Sequence, residues 1–177
     1  MAIHRGGVIA YPTEAVFGLG CDPLNPTAVQ RLLDIKQRPM SKGLILIASR
    51  FEQLQPFIAP LDNASLTLLQ ESWPGPITWL VPAREDTPRW LRGEHASIAV
   101  RVTAHPLASA LCEITGHALV STSANPAGMP PARHSLRVRK YFSNQLDLIL
   151  TGDVDRQSSP TPIRDLATKK FIRSSTS

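Results

Sequence analysis

Short apolar runs limit this fold more than any other feature of the sequence. Val8-Ile9-Ala10-Tyr11, Leu44-Ile45-Leu46-Ile47-Ala48, the stretch from Ile77 to Val81, and Ile98-Ala99-Val100-Arg101-Val102 are each only four or five residues long. They are too brief for helices and rich in β-branched residues, so they read as buried strands. Helical patterns fall between them. Asn25 and Pro26 supply an N-cap and a first-turn proline for a helix to about Lys36, with Ala28, Val29, Leu32 and Leu33 as its stripe. A second helix runs from Leu61 to Glu71, and a third from Pro106 to about Thr115, closed by Gly116. A fourth covers Ser135 to Phe142. Ala118-Leu119-Val120 is a short strand entering a polar loop, Ser121 to Asn125, and strands near Leu146–Leu150, Ile163–Leu166 and Lys170–Arg173 finish the chain. Alternating strands and helices predict one α/β domain over residues 1–177. The closing strands lack helices between them, which calls for a mixed sheet.

The 177 residues are 42% hydrophobic, enough for a real core and too many for a disordered chain. No run of about 18 apolar residues is present, which argues against a membrane span. The first residues have no apolar h-region, so the expected location is cytoplasmic. Cys21 and Cys112 lack metal-ligand spacing and read as reduced core residues. The five histidines are scattered, and no metal-ligating set is expected. A net charge of +5 suits polyanionic partners such as nucleotides or RNA, and equally suits solubility alone.

Four segments place polar groups at strand ends. In Tyr11-Pro12-Thr13-Glu14-Ala15-Val16-Phe17-Gly18-Leu19-Gly20, Thr13 and Glu14 follow a buried strand, where open α/β sheets present ligand groups; the glycines alone indicate no more than a turn. Lys36, Arg38 and Lys42 flank Pro39, which should end the helix and leave a cationic loop. That loop is a candidate triphosphate clamp, although Lys36 also suits a helix C-terminus. Arg101 interrupts an apolar strand begun by Ser97, and a buried guanidinium requires a partner, either an internal carboxylate or that of an amino-acid ligand. Ser121-Thr122-Ser123-Ala124-Asn125 gathers hydroxyls and an amide able to meet phosphate or carboxylate oxygens. No GxSxG elbow, Walker A sequence or kinase motif set appears, so bound ATP would sit on something other than a P-loop.

Taken in order, YPTEAVFGLG, KQRPMSKGL, WPGPIT, SIAVRVTAHPL, STSAN and TPIRD resemble the YrdC/TsaC family of threonylcarbamoyl-AMP synthases in its single-domain bacterial form. The resemblance implies a twisted, mostly open YrdC-like sheet. It implies condensation of L-threonine, bicarbonate or CO2 and ATP to threonylcarbamoyl-AMP and pyrophosphate, a nucleotidyltransferase reaction. It further implies Mg2+ bound with ATP, and a tRNA-modifying partner complex that takes the product to N6-threonylcarbamoyladenosine. Residue by residue, it gives Thr13, Arg101, Ser121 and Thr161 to threonine, and Arg38, Ser97, Ser123, Asn125 and Arg173 to the nucleotide. Lys36, Arg38 and Lys42 become the catalytic cations. Relatives carry an extra N-terminal helix, and longer ones an extra C-terminal domain, neither of which is expected here. The competing expectation is a non-catalytic RNA-binding or ribosome-assembly module. Separately, the basic run Arg133, Arg137, Arg139 and Lys140 is a candidate surface for tRNA or double-stranded RNA, and reads also as a solvated helix face. A carbamoyl-phosphate-dependent adenylating domain is the third.

Overall fold

Strands β1 (Ile9–Pro12), β2 (Phe17–Gly20), β3 (Ile45–Ala48), β4 (Thr78–Pro82), β5 (Ser97–Val102), β6 (Leu119–Ser123), β7 (Leu148–Ile149), β8 (Ile163–Asp165) and β9 (Phe171–Arg173) join in one sheet, ordered β7-β1-β2-β6-β3-β5-β4-β8-β9. The computed structural model describes residues 1–155 and 161–173. The sheet is mixed: β1–β7, β3–β5 and β4–β8 are parallel, and the other neighbouring pairs are antiparallel. Helices α1 (Pro26–Lys36), α2 (Asn63–Ser72), α3 (Arg89–Arg92), α4 (Pro106–Thr115) and α5 (Ser135–Phe142) flank it.

Local chemistry explains the helix ends. Asn25 caps α1 through a 3.0 Å bond from the Ala28 amide, and Asp62 caps α2 through a 2.8 Å bond from Ser65. Gly116 closes α4 at φ 78°. His105 caps α4 and is buried, with Nε2 on the Asp153 carbonyl at 3.0 Å.

The two faces of the sheet are covered unequally. One face carries the large core, to which α1, α2, α3 and α5 contribute Leu32, Leu69, Leu91 and Phe142. Among the described residues the other is covered only at one end, where Ala108, Leu111 and Cys112 of α4 pack on Ile9, Tyr11, Ile47 and Leu119. The rest of that face is left open by the described residues.

Two expectations need correction, and one element is added. Residues 17–20 form strand β2 rather than a turn: Phe17 and Leu19 enter the core, while Gly18 and Gly20 let Tyr11 and β6 approach closely. Strand β6 continues through Ser123, so Ser121 and Ser123 are strand residues and not loop residues. Helix α3 falls between Val81 and Ser97, where the sequence predicts no element. Both cysteines are free and buried, as expected of small core residues.

Candidate active site

A cavity of about 560 Å³ occupies the open part of the sheet. Alternation aims the same faces of β5 and β6 into it: Ser97, Ala99 and Arg101 from one, Ser121 and Ser123 from the other. Thr13, Arg38, Lys42, Thr161 and Arg173 complete the set of sequence-selected residues that line it. Lys36 and Asn125 do not line it.

Arg101 is 4% exposed, and its counter-ion is Glu14, 2% exposed, at 3.4 Å between Nη2 and Oε2. Glu14 Oε1 accepts from Thr103 Oγ1 at 2.7 Å and from the Ala104 amide at 3.3 Å. Arg101 Nη1 donates to Thr78 Oγ1 at 3.1 Å and Thr161 Oγ1 at 2.8 Å. Glu14 Oε2 and Arg101 Nε have no hydrogen bond among the described residues. The internal carboxylate therefore neutralises Arg101 without saturating it, and the guanidinium still meets the cavity. Glu14, a candidate ligand group in the sequence, supports Arg101 from outside the cavity lining.

The cationic loop divides into two parts. Arg38 donates from Nε and Nη2 to the Gly43 carbonyl at 3.2 and 2.9 Å, which fixes it across the loop. Lys36 turns inward, and its ammonium donates to the Ser123 carbonyl at 2.6 Å, the Asn125 carbonyl at 2.5 Å and Asn125 Oδ1 at 3.0 Å. These are all three of its protons. Neither a free phosphate contact nor a cap on its own helix describes Lys36; it ties α1 to the end of β6. Asn125 is equally committed, since Oδ1 also accepts from Ser123 Oγ at 2.7 Å and Nδ2 donates to Met129 O at 2.7 Å.

Desolvation, then repulsion from Arg38, pushes the Lys36 ammonium down to about 8. Burial lowers the Arg38 guanidinium below its ordinary value, and burial, then Arg101 and Arg38, does the same to Arg173. These crowded cations favour an anion between them. Thr13 donates its hydroxyl proton to Val16 O at 2.7 Å, leaving oxygen lone pairs able to accept from an amine. Arg92 and His95 also line the cavity. In the sequence they sit in a polar connection that gives no sign of facing a site.

Among the described residues no carboxylate lines the cavity, and no three His, Cys, Asp or Glu side chains gather where they could hold a metal ion. Hydroxyls and guanidiniums fit phosphate oxygens; they do not fit a protein-held Mg2+.

A family model described as "Telomere recombination", covering Sua5, YciO and YrdC proteins, matches residues 1–175. The chain belongs to the Sua5/YciO/YrdC family. This family member is 56% identical over 171 residues to a threonylcarbamoyl-AMP synthase of Nitrosococcus oceani, covering 97% of this chain and 92% of the relative. It is 54% identical to one of Pseudomonas aeruginosa with the same coverage. Among solved structures, Sua5 of P. abyssi complexed with L-threonine is similar at a TM-score of 0.88 and 32% identity, over 94% of this chain and 49% of that one. E. coli YciO is similar at a TM-score of 0.85 and 28% identity, over 98% and 85%. The Sua5/YciO/YrdC chain thus spans about half the length of the Sua5 protein. Among the described residues no helix is long and apolar enough to cross a membrane.

Proposed function

We propose that this chain is an L-threonylcarbamoyladenylate synthase, joining L-threonine, bicarbonate or CO2, and ATP with release of pyrophosphate. The observation that carries the reading is the buried Arg101 guanidinium in a cavity whose other cations, Arg38, Lys42, Arg92 and Arg173, lack carboxylate partners among the described residues. One guanidinium with hydroxyls around it suits an amino-acid carboxylate, and several unneutralised cations suit a triphosphate. Relatives at 51–56% identity that carry the synthase name support it, as does a similar Sua5 complexed with L-threonine.

In this reading Arg101, Thr161 and Ser121 hold threonine and Thr13 accepts from its amine. The free amine adds to CO2, forming the N–C bond of a carbamate and losing a proton. A carbamate oxygen then bonds to the α-phosphorus as the bond to the β-phosphate oxygen breaks, and pyrophosphate leaves with that electron pair. The step is a nucleotidyl transfer. Arg38 and Lys42 stabilise the charge that grows on the leaving group. Ser97, Ser123 and Arg173 hold the nucleotide, while Lys36 and Asn125 fix the end of β6 that carries Ser123. Mg2+ would enter with ATP and offset phosphate charge there. The product passes in the cytoplasm to a tRNA-modifying complex. The basic run of Arg133 with Arg137, Arg139 and Lys140 of α5 serves tRNA, a role checked by how steeply binding falls with salt.

The test is pyrophosphate release by the pure protein with ATP and bicarbonate, with and without threonine. Threonine-dependent release is expected, and release indifferent to threonine contradicts the reading.

A further inference from the structure

Building on the synthase reading, we propose that Arg92 is a further polyphosphate contact, held ready by carbonyls on either side of it. Its Nε donates to Thr87 O at 3.2 Å and its Nη1 to His95 O at 2.9 Å. Nη2 has no partner among the described residues, and no carboxylate there pairs with the side chain. Carbonyls orient a guanidinium without cancelling its charge. Arg38 is built alike, with two nitrogens on Gly43 O and no partner for Nη1 among the described residues. Both arginines line the same cavity.

A backbone seam holds the two together. Leu44 N donates to Leu91 O at 2.8 Å, and Glu94 N to Ser41 O at 3.3 Å. Gly93, at φ 66°, is the residue that permits this, because a Cβ there would run into Ser41 O and the Gly43 nitrogen. Helix α3 and the loop bearing Arg38 and Lys42 are therefore one unit, and Arg92 stands on it. Of the five cations lining the cavity, Arg38, Lys42, Arg92, Arg101 and Arg173, only Arg101 has a carboxylate partner among the described residues. Four unneutralised charges suit a polyphosphate better than a single carboxylate.

The experiment compares ATP and AMP binding by calorimetry in the parent, Arg92→Gln and Arg92→Lys, with thermal melting alongside. A contact to the β- or γ-phosphate predicts roughly a ten- to hundredfold loss of ATP affinity in Arg92→Gln with AMP affinity unchanged. Arg92→Lys, a point charge without the fork, keeps all but about threefold to tenfold of ATP affinity and serves alone should the Gln variant not fold. Equal losses for ATP and AMP, or no loss for either, overturn the proposal and leave Arg92 a brace for residues 87–95. Pyrophosphate release by the parent is followed in parallel. Its indifference to threonine sinks the synthase reading, whereas the ATP-over-AMP difference reports on Arg92 alone.

Discussion

Arg101 carries two burdens, and they separate experimentally. Its ion pair with Glu14 is buried on both sides, so Arg101→Ala leaves a carboxylate without its counter-ion, at a cost of about 3–5 kcal/mol of stability. It also removes the group assigned to the threonine carboxylate, for a roughly ten- to hundredfold loss in kcat/KM for threonine. Adding Glu14→Gln to Arg101→Ala should restore most of the melting temperature and none of the threonine use. Recovery of both together would reduce Arg101 to a structural residue. Lys36 gives a second residue-scale test. Its ammonium, pushed down to about 8, loses a proton in the mildly basic range and then has two N–H groups for three acceptors. A bound triphosphate favours the charged form, so ATP affinity, measured without threonine, should fall as pH rises through about 8, with proton uptake on binding. Lys36→Met should bind about tenfold more weakly at pH 7 and lack that basic limb. The parent's pH dependence surviving in Lys36→Met would contradict the assignment.

At the scale of elements, the two glycines of β2 make opposite demands. A Cβ on Gly20 would overlap Val120 O and lie 2.8 Å from a Tyr11 ring carbon. Gly20→Ala should therefore cost about 1–3 kcal/mol in urea unfolding at unchanged m-value. A Cβ on Gly18 meets Ser121 Oγ at 3.3 Å on the cavity side, so Gly18→Ala should cost less stability and more threonine affinity. The reverse ranking would contradict the account of the open face. That strand was hidden in the sequence because a four-residue element with two glycines has neither propensity nor a long pattern to reveal it. β3 and β5 were legible, since continuous apolar runs leave few alternatives. Arg101 stood out for the same reason, as a charge in an apolar run. Glu14 stood out as a strand-end ligand group and not as the partner of Arg101, because pairing between residues so far apart in the chain has no sequence period. Lys36 was misleading: it lies beside Arg38 in the chain, yet its acceptors Ser123 and Asn125 are 87 and 89 residues away. Only the folded sheet brings them together.

For the whole molecule, function follows from unequal cover. Four helices bury one face of the sheet, α4 covers one end of the other, and the uncovered part holds Arg101 and the cationic loop together. Such a site has no Walker loop to cradle a transferring γ-phosphoryl group, but its cations suit charge growing on a departing pyrophosphate. The central claim is therefore attack at the α-phosphorus. ATP labelled at the α- or the γ-position, incubated with bicarbonate and threonine, tests it most directly. The account predicts α-label in a threonine-dependent adenylate and then in AMP as the adenylate hydrolyses, and γ-label in pyrophosphate, with no ADP formed in proportion to threonine consumed. ADP and free phosphate as the primary products would contradict it.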